Sequence, residues 1–496
     1  MSGPARRGPG RGPSGDGKPV PRSSAGPKTA ASSKTVSIKT KPTRPADTSI
    51  EPATRVYSKN VTKLNDPVVP STDHSKKATK LNDDATSSGV LTWEDRAWRD
   101  RVRRKLLRWF DTSARKLPWR DDPQPYHVWV SEVMLQQTQV ATVIDYYHRF
   151  LAAFPTIESL AQADEGRLMR LWEGLGYYRR ARALQGAARR VVQSHGGLFP
   201  QRFEEVLALP GIGRYTAGAI LSISGDQRLP VLEGNTVRVY SRWVGLREDV
   251  TSTSAQRTLW QVAEAMLPAR SGSGRFNQAA MELGALICKP RDPDCDACPV
   301  RDDCRARDLG LQGEIPGKVK RIEYQSRDEY AFVVPVDQGG VLMVQIPKGE
   351  RWAGLWDVPR WTAGGTGGVE SAAEGLSRRF GIDLRPRSLR MRIKHAVTRY
   401  RINLEVHDAQ PIAAADVAMI STDNGAGDNG AGDGGDGDNG AGDNGAGDNW
   451  AGDSGAGDLG AGVLRIVPLD RLADLPLSTT GRKIARDLLK SPPDIA

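Results

Sequence analysis

Leu207-Ala208-Leu209-Pro210-Gly211-Ile212-Gly213-Arg214-Tyr215-Thr216-Ala217-Gly218-Ala219-Ile220-Leu221-Ser222 is the stretch on which the reading of this chain turns. Apolar-periodic runs lie on either side of Leu209-Pro210-Gly211-Ile212-Gly213. The glycines let the backbone turn tightly and approach a ligand, and the helix that follows offers unpaired N–H groups at its start. The pattern is a helix–hairpin–helix in which Gly211 and Gly213 can clamp a phosphate. Alone, it is also what a plain Pro-Gly turn between two helices looks like.

About 75 residues further on stand all four cysteines of the 496-residue chain, Cys288, Cys295, Cys298 and Cys304, spaced C-x6-C-x2-C-x5-C. Four thiolates so close in sequence can converge on one metal centre. A disulfide framework needs a secreted chain with cysteines spread along it, and the N-terminus has no signal-peptide pattern. Zinc and an iron–sulfur cluster both remain open. Zinc usually takes two C-x2-C knuckles separated by a longer loop, whereas a compact run of four cysteines is the habit of iron–sulfur ligation.

Three further blocks accompany these: Ser131-Glu132-Val133-Met134-Leu135-Gln136-Gln137-Thr138-Gln139-Val140, Trp172-Glu173-Gly174-Leu175-Gly176-Tyr177-Tyr178 and Phe276-Asn277-Gln278-Ala279. In order and spacing the chain resembles the endonuclease III superfamily of helix–hairpin–helix DNA glycosylases, most of all its MutY-type adenine glycosylases. The resemblance is dense from residue 92 to about 310 and loose beyond. It implies a mainly α catalytic region with the helix–hairpin–helix glycosylase fold and a 4Fe-4S cluster loop, followed by an α+β Nudix-like C-terminal domain.

Composition agrees independently of the resemblance. Net charge is +11 and the pI about 9.5, as expected of a phosphate-binding protein, although many basic chains are merely well solvated. Residues 1–90 hold 16 Lys and Arg against 7 Asp and Glu, are rich in Pro, Gly, Ser and Thr, and carry Thr-Lys-Leu-Asn-Asp twice, from Thr62 and Thr79. Residues 1–91 are therefore expected to be a disordered basic tail. Its Arg-rich start imitates a transit peptide, but Pro and Gly deny it an amphipathic helix. No run of 18 apolar residues exists, so no membrane is expected as a partner, and a nucleoid-associated cytoplasmic monomer is.

The expected organisation places a helical glycosylase domain at 92–316, with the cluster loop at 288–304, and a linker at 317–328. Helical periodicity is visible at Val140, Val143, Ile144 and Tyr147. A C-terminal domain follows at 329–492, opening with a strand, turn and strand from Tyr330 to Ile346 and a helix from Val369 to Phe380. The Arg-Glu-rich box of a metal-dependent Nudix hydrolase is missing from residues 363–382. A reading module is thus expected rather than a pyrophosphatase. The domain is interrupted at 421–462 by an acidic loop whose Gly-Ala-Gly-Asp repeat carries nine Asp and no Lys or Arg between 423 and 458. It lacks the calcium-binding nonapeptide pattern, so it is read as solvated.

The chemistry requires an acid for the departing base and negative charge near a sugar that becomes oxocarbenium-like. Glu132, set between Val128-Trp129-Val130 and Val133-Met134-Leu135, is expected to be desolvated and protonated near neutrality. Gln136 and Gln139, at i+4 and i+7, suggest one polar stripe on its helix; a surface glutamate on an amphipathic helix would look similar. The resemblance makes Glu132 the general acid that protonates adenine N7. The second carboxylate departs from the family's Asp-Gly-Asn: Val231-Leu232-Glu233-Gly234-Asn235 puts Glu233 there, one methylene longer.

Tyr215 stands where lyase members carry a nucleophilic lysine, which implies base removal without strand cleavage. By resemblance Arg115, Leu117, Trp119, Arg120, Leu135 and Gln278 line an adenine pocket, and Gln137 and Tyr177 wedge into the stack beside the extruded base. Each aromatic could equally be helix core. The family's loop for the partner base, His-x-Phe-Ser-His, aligns with His395-Ala396-Val397-Thr398-Arg399, where Thr398 keeps the hydroxyl that can meet 8-oxoguanine. The implied partner is double-stranded DNA containing A:8-oxoguanine or A:G mispairs. A thymine or uracil mismatch glycosylase, which would share cluster, hairpin and Tyr215, and a non-enzymatic iron–sulfur DNA-binding protein are the rival readings.

Overall fold

The computed structural model describes residues 93–317, residues 323–414 apart from 338, 348 and 363–366, then 417 and 462–494. The expected disordered tail and, Gly462 apart, the acidic loop lie outside these residues.

Helices occupy the first part in the order α1 (Arg96–Ser113), α2 (Pro118–Asp121), α3 (Pro125–Leu135), α4 (Val140–Ala153), α5 (Ile157–Ala161), α6 (Glu165–Trp172), α7 (Arg179–His195), α8 (Phe203–Leu207), α9 (Arg214–Gly225), α10 (Gly234–Val244), α11 (Thr253–Met266), α12 (Ser273–Leu286) and α13 (Arg305–Asp308). Local chemistry sets their ends. The Asp95 carboxylate caps α1 by accepting from the Ala97 amide at 2.8 Å, and α2 and α3 begin with proline, whose missing N–H is not needed in a first turn. On α1 the apolar stripe Trp98, Val102 and Leu106 is buried at four-residue intervals.

Two apolar clusters result. One gathers Trp129, Phe150, Trp172, Leu184, Val206 and Ile220 from α3 to α9, and the other Trp98, Leu106, Tyr240, Trp243, Leu259 and Phe276 from α1 and α10 to α12. Helix α9 packs against both α3 and α12 and so bridges the two. Helix α3 is buried from Val128 through Met134, as befits a helix apolar almost all round.

The polar stripe expected on that helix does not exist. Helix α3 stops at Leu135, because the Arg180 guanidinium takes the carbonyls of Val133 (2.8 Å), Met134 (3.0 Å) and Gln136 (2.5 Å) and Gln137 turns the backbone away with φ 61°. Gln139 sits at the cap of α4 instead.

The C-terminal region is α+β. Strands β1 (Gln325–Val333), β4 (Arg360–Thr362), β5 (Pro386–Val397) and β6 (Tyr400–Ala409) form a sheet in the order β4-β1-β6-β5, with β1 and β6 parallel. Strands β2 (Val341–Gln345), β3 (Trp356–Asp357) and β7 (Val463–Val467) form a second, ordered β3-β2-β7. Side chains of β1 and of Val334 just after it alternate between two cores: Ala331 and Val333 meet the last helix, α15 (Thr479–Lys490), while Phe332 and Val334 meet α14 (Val369–Phe380). Helix α14 forms at the bounds expected from sequence. The turn after Val336 forms too, closed by Gly339 N–H on Val336 O at 2.9 Å, but β1 and β2 diverge into different sheets. Strand β1 also begins at Gln325, inside the stretch read as linker, because Gln325–Asp328 pairs with Tyr400–Asn403.

Candidate active site

Glu132 lies on the buried stretch of α3 and is itself only 5% exposed. From α9, which starts at the hairpin, the Tyr215 hydroxyl donates to Glu132 Oε2 at 2.5 Å. Burial pushes the Glu132 carboxyl up to about 7; nearby Glu233 adds to the rise, and the Tyr215 hydrogen bond and Arg120 oppose it. Burial, then the two glutamates, raises Tyr215 well above its ordinary range, so its hydroxyl remains a donor.

Glu233 is the N-cap of α10. Its Oε2 accepts from the Asn235 amide at 2.9 Å and its Oε1 from the Thr236 amide at 3.1 Å, while Thr236 Oγ1 accepts from the Glu233 N–H at 2.8 Å. Burial raises this carboxyl, and the Asn235 and Thr236 amides and the Arg238 charge pull the other way. A buried carboxyl and a half-buried neighbour thus have unlike surroundings: one hydroxyl partner for Glu132, and a helix N-terminus for Glu233. The extra methylene of Glu233 folds back far enough to cap its own helix.

Of the residues assigned to the base pocket, Arg115 and Arg120 converge on one residue that sequence reasoning missed. Glu282, 1% exposed on α12, accepts from Arg115 Nε and Nη2, both at 2.8 Å, and from Arg120 Nη2 at 3.0 Å. Arg120 Nε also reaches Gln278 Oε1 at 3.1 Å. Burial alone would raise the Glu282 carboxyl, but the bonds and charges of Arg115 and Arg120 outweigh it and hold it at about 2. The available signal was spacing, since Glu282 follows Gln278 at i+4 on one helix face. Leu117 and Trp119 are buried in the first apolar cluster, Trp119 edge-on to Tyr147 at 5.4 Å, and Leu135 packs half-buried against it.

Gln137 and Tyr177 are brought together by Arg180. Both are non-glycine residues with left-handed backbones, φ 61° and 49°. Besides the α3 carbonyls, Arg180 donates to Leu175 O and Gly176 O, each at 3.0 Å, so one guanidinium fastens both loops. A cavity beside it is lined by Val133, Gln136, Ala183, Pro210 and Gly211, the last belonging to the hairpin. Gly211 has φ 75°, and a Cβ there would lie 2.5 Å from that of Ala183, so both backbone and space require glycine. Gly213 is the N-cap of α9 and supplies no side chain to take the first amides of that helix.

Cys288, Cys295, Cys298 and Cys304 line a single cavity with Arg242 and Trp243, and none forms a disulfide. Burial, reinforced by neighbouring thiols, pushes Cys298 up to about 12 and Cys304 to about 11. Four thiolates coexist there only with a cation among them, so the donor set fits a metal centre. Among the described residues no three His, Cys, Asp or Glu side chains are grouped to hold a metal ion, so the sulfurs ring the cavity rather than pinch one point. Buried Arg242 donates to Cys288 Sγ at 3.2 Å, and Arg238 links Cys288 O (2.6 Å) to Asn235 Oδ1 (2.8 Å). Helix α10 therefore runs from the Glu233 carboxylate to the cysteines.

Thr398, with φ 53°, and Arg399 make the two-residue tip of the β5–β6 hairpin. It lies on elements separate from α3 and α9. His395, just before the tip, stacks on Trp352 at 6.2 Å.

Hairpin, paired carboxyls and cysteine cavity define a class of protein. Residues 130–265 match the HhH-GPD superfamily base excision DNA repair protein family, and the helical region has that glycosylase fold. More particularly, the chain is similar to adenine DNA glycosylases. It is 47% identical over 332 residues to that of Homo sapiens, covering 56% of this chain and 60% of the relative, and 42% identical over 312 residues to that of Rattus norvegicus, covering 52% and 60%. The chain thus spans about 60% of the length of these curated relatives. A solved thermostable thymine-DNA glycosylase is 27% identical with a TM-score of 0.39, over 43% of this chain and 98% of that one.

Proposed function

We propose that this chain is a monofunctional adenine DNA glycosylase of base excision repair, hydrolysing the N-glycosidic bond of adenine mispaired with 8-oxoguanine or guanine. One observation carries the reading: a buried glutamic acid with its carboxyl pushed up to about 7 is held through one oxygen by Tyr215, on the helix that follows the hairpin, beside a second carboxyl at a helix N-terminus. Such a pair separates an acid from a charge stabiliser.

Tyr215 holds Oε2, which leaves Glu132 Oε1 to carry the proton given to adenine N7 as the base departs. Glu233, whose charged form the α10 amides and Arg238 favour against the burial that raises its carboxyl, faces the positive charge that develops on the sugar. With tyrosine rather than an amine beside them, no Schiff base forms and the strand stays intact. The extruded base enters between Leu117, Trp119, Leu135 and the Arg115–Arg120–Gln278–Glu282 array, while Gln137 and Tyr177 fill the gap in the stack. Gly211, Gly213 and the following amides hold a phosphate and supply affinity that does not depend on sequence.

The four cysteines would hold a 4Fe-4S cluster. When bound it contributes a structural anchor that pins the 288–304 loop against α10. The C-terminal region, read as a Nudix-like module over 329–492 joined by a linker to a glycosylase domain over 92–316, offers the Thr398 hydroxyl to the 8-oxoguanine partner base. The protein would act as a monomer on nucleoid DNA in the cytoplasm.

The test is a glycosylase assay on duplexes pairing A, T or U with G or 8-oxoguanine, read by alkali-dependent strand cleavage. Cleavage confined to A-containing mispairs, fastest opposite 8-oxoguanine, is expected. Cleavage at T or U with A spared would transfer the chain to the mismatch glycosylases, and none anywhere would leave a DNA-binding protein.

A further inference from the structure

The segment Glu173–Tyr178 joins α6 to α7 and carries Tyr177 at its tip. From within, Arg180 holds it by two carbonyls, and Tyr146 donates to Glu173 O at 2.5 Å. A second set of anchors comes from 300 residues away in sequence. Arg482 on α15 forks onto the Glu173 carboxylate, Nε to Oε1 and Nη2 to Oε2, both at 2.6 Å. The Tyr178 hydroxyl donates to Leu477 O at 3.3 Å, and Arg170 at the end of α6 donates to Asp474 O at 2.7 Å. The other donations of Arg482 go to Leu472 O, Ala473 O and Leu475 O, so its guanidinium joins the segment before α15 to Glu173.

The pair is not an ordinary surface ion pair. Its side chains are 18% and 17% exposed, and both nitrogens of the fork are used, the geometry in which charge-assisted bonds are strongest and most directional. Between the two anchors the chain holds Tyr177 in a left-handed conformation that non-glycine residues adopt only when surroundings impose it.

From this juxtaposition we propose that Glu173 and Arg482 are positioning residues through which the C-terminal domain sets the Tyr177 loop for base extrusion. The inference rests on the functional reading above for its consequence, but the mechanical coupling does not. When α15 is docked, the Glu173 fork fixes the base of the loop. When Arg482 is lost, the loop keeps only its inner anchors, and insertion of Tyr177 into the stack is less well prepared.

The experiment compares the full-length protein with Glu173→Gln, Arg482→Lys, Arg482→Gln and the Glu173→Gln/Arg482→Gln pair by two readouts. Amide hydrogen exchange of residues 173–178 in the free protein should speed up about tenfold in Glu173→Gln and Arg482→Gln, with Arg482→Lys intermediate and the pair no worse than either single change. Single-turnover excision from an A:8-oxoguanine duplex at saturating enzyme should slow by about tenfold in the same order. A contact that merely glues two domains would lower the unfolding temperature and leave both readouts unmoved. Unchanged exchange at 173–178, or faster exchange with excision at the wild-type rate, would overturn the proposal. Absence of excision by the wild-type protein would instead contradict the functional reading, and the exchange data would still decide whether the fork holds the loop.

Discussion

At the scale of single residues, the proposed role of Glu132 implies a pH dependence. A general acid must be protonated, so single-turnover excision should be fast below the Glu132 pKa of about 7 and fall as pH rises through it. A rate flat from pH 5.5 to 8.5 would remove Glu132 from the proton transfer. Glu233 gives a second wager. Its carboxylate reaches the Asn235 and Thr236 amides, so the longer side chain is accommodated as the cap of α10. Glu233→Asp should therefore slow excision by about tenfold, and Glu233→Gln by about a hundredfold; a faster aspartate variant would mean a handicapped site. Glu132 was legible in sequence because its apolar neighbours announce burial. Its partnership with Tyr215, 83 positions away, is set by the packing of α9 against α3.

At the scale of elements, the network around Glu282 joins three of the residues proposed for the base pocket. Glu282→Gln should leave two guanidinium groups without their shared carboxylate and destabilise the fold by roughly 3 kcal/mol, measured by denaturant unfolding. The sign with pH follows from the depressed carboxyl. Its stabilisation is full above the unfolded pKa, near 4.5, and is lost as pH falls toward about 2, so wild type and variant should converge in stability on acidification. A gap between them that stayed constant from pH 6 to pH 2.5 would show that Glu282 holds the arginines by packing alone. The hairpin offers a sharper backbone test: Gly211→Ala meets both the positive φ and the Ala183 side chain, and should weaken duplex binding about tenfold while leaving the Glu132–Tyr215 pair intact.

Elements show where sequence reading stops. The hairpin and the helix at Val369–Phe380 were visible because turn residues and period act locally. The Gln136–Gln139 stripe was misread because helix α3 is ended by Arg180, a residue 44 positions beyond Gln136 that takes its last carbonyls. Glu282, Arg180 and Arg482 share that obscurity: each acts through partners distant in sequence, which spacing cannot reveal.

At the scale of the whole molecule, charge and chemistry separate. The first 90 residues hold 16 Lys and Arg against 7 Asp and Glu, while the residues proposed for the base pocket all lie from Arg115 onward. Deleting them should preserve single-turnover excision, weaken binding to undamaged duplex and flatten its salt dependence, since phosphates that the tail no longer neutralises keep their counterions. Loss of excision with the tail would reveal a structured role for it. The central claim is that Glu132 delivers the proton that frees adenine. It is tested most directly by single-turnover release of free adenine from an A:8-oxoguanine duplex, comparing wild type with Glu132→Gln at equal occupancy of the DNA. Release by wild type and a loss of at least about a thousandfold in the variant, with duplex binding retained, is the predicted result. Adenine released at a similar rate by both proteins would contradict it.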